Sequence, residues 1–115
     1  MRKATVKVWM RERAGAVEEA VPVDGFVVGP FVVHRRMERN QVFLTWCEAK
    51  EWRISHVATG AFFGDEFDFA GKAAAVAGAK RLVGLGLNWD VPVSAFKRWP
   101  KSRKELVKGA LRGTP

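Results

Sequence analysis

The sequence predicts an α+β fold: an antiparallel sheet of four to five strands, a helix packed on one face of it, and a basic C-terminal helix. Three observations predict it. Strand-like segments come first and helical ones last. The strand segments are joined by turns too short for anything but antiparallel pairing. One Ala-rich segment then repeats apolar residues at helical spacing, which suits a helix lying close on a sheet.

Residues 4–11, "ATVKVWMR", alternate, with Ala4, Val6, Val8 and Met10 on one face and Thr5, Lys7, Trp9 and Arg11 on the other. That is the period of a half-buried strand. Gly15, Pro22 and Gly25 then predict a loop, with a short strand at 20–23. "FVVGPFVVHRR" (26–36) is β-branched and aromatic. Its Gly29-Pro30 predicts an edge, a bulge or a tight turn between two short strands, because proline donates no ladder hydrogen bond. "MERN" (37–40) reads as a polar turn, and "QVFLTWC" (41–47) with "EWRISHV" (51–57) predicts a hairpin. "AFFG" (61–64) suggests a short final strand.

Asp65 or Asp68 is expected to cap the helix of residues 71–86. Ala75, Val76, Ala79, Leu82 and Val83 form its apolar stripe, and Gly84 and Gly86 end it. Residues 87–100 read as an extended connector tacked to the body by Trp89, Phe96 and Trp99. The last helix, 102–113, opens on Ser102 and Glu105, which fit a capping box. Leu106, Val107, Ala110 and Leu111 make its apolar face, and Gly113 is its stop.

With 115 residues, 48% of them hydrophobic, the chain has the size and composition of one globular domain. The net charge is +8, and its placement matters more than its size. Residues 97–115 carry seven basic residues against one acid, a net of +6, while residues 1–96 carry only +2. The chain thus divides into a sheet-plus-helix body, 1–96, and a basic tail, 97–115, belonging to the same domain or appended to it. Basic tails attract phosphate backbones, anionic membranes or acidic protein faces. One cysteine excludes an intrachain disulfide and a multi-cysteine zinc site. No stretch is apolar enough to span a bilayer, and the expected location is the cytoplasm.

Cys47 and His56 lie in "TWCEAKEWRISHVATG" and invite a catalytic reading. If residues 48–51 form the hairpin loop, the two sit on one face but about 13 Å apart along the ladder. A nucleophile and its base must meet at about 3 Å. Cys47 therefore reads as a small hydrophobe in or beside the core, and His56 as a hydrogen-bonded strand residue. Three soft ligands in all, Cys47, His34 and His56, do not predict a zinc centre. Asp65, Glu66 and Asp68 suit a helix start better than a Mg²⁺-dependent nuclease, which stays the weakest alternative. No phosphate-binding glycine loop or nucleophile motif is present. The reading is a non-enzymatic protein with no catalytic residue, metal or cofactor.

Two features point to nucleic acid. Lys7, Trp9 and Arg11 place an aromatic among cations on one strand face, the pattern that stacks bases and holds phosphates, unless Trp9 packs under the following loop. Lys97, Arg98, Trp99, Lys101, Arg103, Lys104, Lys108 and Arg112 do the same along the tail, and Arg35, Arg36 and Arg39 add a third basic cluster.

"EWRISHVATGAFFG" followed by an Ala-rich helix resembles small β-β-α modules of phage and mobile-element proteins, in which a Trp-led strand ends in a His-x-x-Thr-Gly turn. The resemblance covers about residues 41–88 and implies an accessory protein of a phage or similar element. Some related modules bind DNA through the sheet, and no catalytic residue carries over. The expectation is thus a small nucleic-acid-binding accessory protein, for DNA or RNA, as monomer or homodimer and without a membrane role. The alternative is a protein-binding modulator or inhibitor of a host enzyme, docking through a sheet edge or the last helix.

Overall fold

The computed structural model describes residues 2–11, 18–40, 42–63 and 67–113. The alternating N-terminal segment forms β1 (Arg2–Arg11), which pairs antiparallel with β2 (Glu18–Val28), Val8 opposite Val21 and Val6 opposite Val23. β2 is therefore much longer than the four-residue strand expected at 20–23. At Gly29 and Pro30 the chain reverses, with Gly29 at φ +55°, into β3 (Phe31–Asn40). β3 pairs with β4 (Thr45–His56), and the strands lie in chain order, β1-β2-β3-β4. The helices are α1 (Lys72–Gly84), a short α2 (Val93–Lys97) and α3 (Lys101–Arg112). The antiparallel four-stranded sheet, packed helix and C-terminal helix are those the sequence predicts.

Several local readings are overturned. "MERN" is the end of β3, and the reversal falls on residues 42–44 instead. Asn40 decides this: its Oδ1 accepts the amide N–H groups of Val42 (2.9 Å) and Phe43 (3.0 Å), closing the turn. β4 is continuous through Glu48–Glu51, where a loop was expected, but it bulges there: Met37 pairs with Glu48 and Arg35 with Trp52, so residues 49–51 stand opposite Arg36 alone. "AFFG" contributes a single bridge, Phe62 to Ser55. The connector 87–100 contains α2 rather than being extended throughout. Neither long helix uses its expected cap: the N-cap of α1 is Gly71 and that of α3 is Pro100, both without a side-chain hydrogen bond.

Because strand side chains alternate, the sheet has two faces, and each carries a core. On one face, Phe31, Val33 and Ile54 pack with Ala75, Val76, Ala79 and Leu82 of α1. Val107, Ala110 and Leu111 of α3 join the same core, so α3 is docked, and Arg81 Nε donates to Ala110 O at 2.6 Å to fasten it. On the other face, Val8, Met10, Val21, Val23 and Val32 form a second cluster.

That second cluster exists because the sheet folds over itself. β2 pairs with β3 only through residues 25–28; beyond them β1-β2 and β3-β4 continue as separate ribbons. Glu19 of one ribbon meets Arg39 of the other at 2.9 Å and accepts the indole N–H of Trp46. The Trp9 N–H donates to Gly60 O at 2.8 Å, tying the free edge of β1 to the turn after β4. The His-x-x-Thr-Gly turn is thus a structural clasp: His56 Nδ1 bonds Thr59 Oγ1 (2.8 Å), and Gly60 takes φ +75°. No helix of the described residues is long and apolar enough to cross a membrane.

Candidate anion-binding face and aromatic pocket

The three basic clusters named from the sequence have different fates. The arginines of β3 are held by carboxylates. Arg35 meets Glu48 at 3.7 Å and lies over Trp52, and Arg39 is paired with Glu19 and lies over Trp46. Arg36 is buried, with Glu38 at 2.7 Å, Glu51 at 3.1 Å and Asp68 at 3.4 Å. Burial opposes the Arg36 charge, but the hydrogen bonds from Glu38 and Glu51 outweigh it and raise the pKa above its ordinary value. Arg39 ties the two ribbons together, Arg35 and Arg36 brace β3 against β4 and Asp68, and all three have little charge left to offer a ligand.

On β1, Lys7 is exposed and Trp9 is 45% exposed, while residues 12–17 of the loop that could cover it lie outside the described residues. The side chain of Arg11 lies outside the described residues, as do Asp65 and Glu66.

The tail cluster is different. Lys97, Arg98, Lys101, Arg103, Lys104 and Arg112 are exposed, and among the described residues none has a carboxylate partner. Lys108 alone meets the single acid, Glu105, at 3.6 Å. Two of the cations are stacked rather than loose: Arg103 lies 5.3 Å from the Trp99 ring and Arg112 5.2 Å from Phe67. Lys104 Nζ donates to Lys97 O at 3.0 Å, joining α2 to α3. α3 turns Val107, Ala110 and Leu111 to the core, which leaves its basic side to solvent.

Beside this face opens an apolar cavity of about 370 Å³ between α2, α3, residues 61–63 and Phe67. Phe62, Phe63, Phe67, Trp89, Phe96 and Trp99 are the aromatic residues of its wall, with His56 beside them. The rings hold one another edge to face, with Phe96 and Trp99 5.0 Å apart and His56 and Phe96 5.3 Å apart. Lys97, Lys104 and Lys108 also line it. Among the described residues the Trp89 indole N–H is the buried side-chain group left without a hydrogen-bond partner. Sequence reasoning missed the pocket. The aromatic density of residues 87–100 was its only trace, because its wall comes from residues 56–111 and closes only when α3 docks.

The catalytic alternatives receive no geometric help. Cys47 is exposed, not a core residue, and pairs with Glu38 near the start of β4, whereas His56 pairs with Phe31 at its end. Asp68 does not cap α1 and is clamped by two arginines, Arg53 and Arg36. Among the described residues no group of three His, Cys, Asp or Glu side chains is placed to hold a metal ion. In comparisons with known proteins, no family model, no curated protein and no solved structure matches the chain.

Proposed function

We propose that this chain is a small accessory protein that binds nucleic acid through the exposed face of α2 and α3. One observation carries the reading: among the described residues, six cations within residues 97–112 are solvent-facing and without a carboxylate partner, Lys97 and Arg98 at the end of α2 and the other four on the docked helix α3. Such a surface releases counterions from a phosphate backbone, and its affinity falls steeply with salt. Arg103 stacked on Trp99 adds a planar cation of the kind that suits phosphate. Lys7 and the exposed Trp9 on β1 are a secondary contact. Residues 41–88, which carry the resemblance to β-β-α modules, hold one strand, β4, and α1, so the reading does not draw on that resemblance.

Fluorescence anisotropy with labelled single- and double-stranded DNA and RNA, at low and near-physiological salt, tests this. Sub-micromolar affinity near physiological salt is expected, with a logarithmic salt slope that shallows by about three in Arg98→Glu/Lys101→Glu/Arg103→Glu. All three positions are exposed, so the fold should survive, with stability lowered by no more than the loss of the Arg103–Trp99 stacking, about 0.5–1 kcal/mol. Unchanged affinity in that variant overturns the assignment to α2–α3. Binding confined to low salt reduces the effect to that of any polycation.

A further inference from the structure

The β3–β4 ribbon ends in a feature that nucleic-acid binding does not explain. Val42, Phe43 and Leu44 at its tip are 82%, 74% and 64% exposed. Turn positions favour polar residues and glycine, and three consecutive exposed apolar residues are a liability unless something covers them. The tip is not a loose loop. Asn40 Oδ1 pins the amides of Val42 and Phe43, and Leu44 is held at φ +54°, where side-chain-bearing residues rarely sit. A formed turn therefore presents these side chains outward.

The other unfilled apolar feature is the aromatic pocket, and it lies at the opposite end of the same ribbon. His56, in the pocket wall, pairs with Phe31 at the first rung of β3, while Asn40 pairs with Thr45 at the last. Nine residues of strand separate those rungs, roughly 30 Å. No molecule can place its own tip in its own pocket.

We propose that the tip of one molecule inserts into the pocket of a second copy, with Phe43 as the anchor. Size allows it: an apolar cavity of about 150 Å³ accommodates a benzene ring, and this one, about 370 Å³, has room for Phe43 and a flanking aliphatic side chain. Chemistry favours it, because the wall is aromatic and offers few hydrogen-bonding groups to a polar ligand. Glu38 and Glu48, on the rungs behind the tip, are already paired with Arg36 and Arg35, so the contact rests on the apolar tip and the aromatic wall rather than on charge. The contact is heterologous: a pair keeps one free tip and one free pocket, so association runs head to tail into rings or open chains. The interface is small, so association is weak and concentration-dependent. Arg98, Lys101 and Arg103 lie outside the pocket wall and stay available to phosphates. The proposal does not depend on the nucleic-acid reading.

The test is sedimentation velocity of the full chain across a hundredfold dilution series without nucleic acid. The wild type should grow in mass with concentration. Phe43→Asp removes the tip, and Val93→Glu/Lys97→Glu, two exposed positions of the wall, removes the pocket. Each variant should stay monomeric alone, and the two mixed should give a dimer and nothing larger, since one intact tip meets one intact pocket. A wild type monomeric throughout, a Phe43→Asp chain that associates like wild type, or a mixture that stays monomeric overturns the proposal. A second measurement needs no change at tip or pocket. A benzophenone attached to the exposed Cys47 should cross-link to residues 93–111 of a neighbour. Cross-links confined to the neighbour's own tip, residues 42–48, would replace this geometry with a symmetric tip-to-tip pair.

Discussion

Both carboxylate oxygens of Asp68 are taken by Arg53, with Nε at 2.9 Å from one and Nη2 at 3.0 Å from the other, and Arg36 approaches at 3.4 Å. All three side chains are nearly out of solvent. Arg53 also lies over the Phe62 ring at 4.2 Å. Planar guanidinium and carboxylate meet edge on, which is the strongest arrangement open to the pair.

Removing one partner from such a pair strands buried charge, so Asp68→Ala should cost about 3–5 kcal/mol. Loss of a helix cap, the role the sequence suggested for Asp68, would cost only about 1 kcal/mol. Urea denaturation separates the two.

His34 should make stability depend on pH. It is fully buried; its Nδ1–H donates to Arg35 O at 2.8 Å, and its Nε2 lies 2.7 Å from the Ser55 hydroxyl, from which it accepts when the ring is neutral. Burial, reinforced by the nearby Arg53 charge and offset in part by the Arg35 carbonyl, lowers its pKa from 6.5 to about 4. Above pH 6.5 the ring is neutral in folded and unfolded chains alike. As pH falls from 6.5 toward 4 the unfolded chain takes up the proton first, and stability drops by roughly 3 kcal/mol. Denaturation at a series of pH values should show this slope, and His34→Gln should flatten it.

Gly25→Ala should be severe. A Cβ there would lie 2.6 Å from the Val33 carbonyl oxygen and 2.7 Å from Val32 Cγ2, where β2 and β3 cross before the ribbons diverge. The carbonyl is backbone and cannot step aside, so the loss should reach the upper end of the ~1–3 kcal/mol seen for overpacking, or exceed it. Gly84→Ala, with no atom within 4 Å of the new methyl, is the matched control and should leave stability unchanged or slightly raised.

Ser102→Ala should change stability by less than about 0.5 kcal/mol. The N-cap of α3 is Pro100, whose carbonyl accepts the amides of Arg103 (3.0 Å) and Lys104 (3.1 Å), and Ser102 is already inside the helix. A drop near 1 kcal/mol in thermal denaturation would restore the capping box.

The sheet was legible because its evidence is short-range. Alternation at Val6, Val8 and Met10, and at Val21 and Val23, needs only the two-residue period of a strand. The stripe Ala75, Val76, Ala79 and Leu82 needs only the helical period, and all four are buried as read; Val83, at the margin of that stripe, is exposed. Val42, Phe43 and Leu44 misled because strand propensity resides in the side chain, whereas the reversal was decided by one acceptor, Asn40 Oδ1. Asp68 misled for the opposite reason: it has the chemistry of a cap, but Arg53, fifteen residues earlier, competes for it more strongly.

The sequence by itself determined the α+β class, the order of strands and helices, and the +6 charge of residues 97–115. Only the tertiary structure decided which cations remain available. Arg39 is paired with Glu19, twenty residues away, because the ribbons fold over each other, while α3 docks through its apolar side and keeps its basic side in water. The physical reason is that periodicity records which face of an element is buried, but not which distant carboxylate or aromatic ring the buried packing brings alongside.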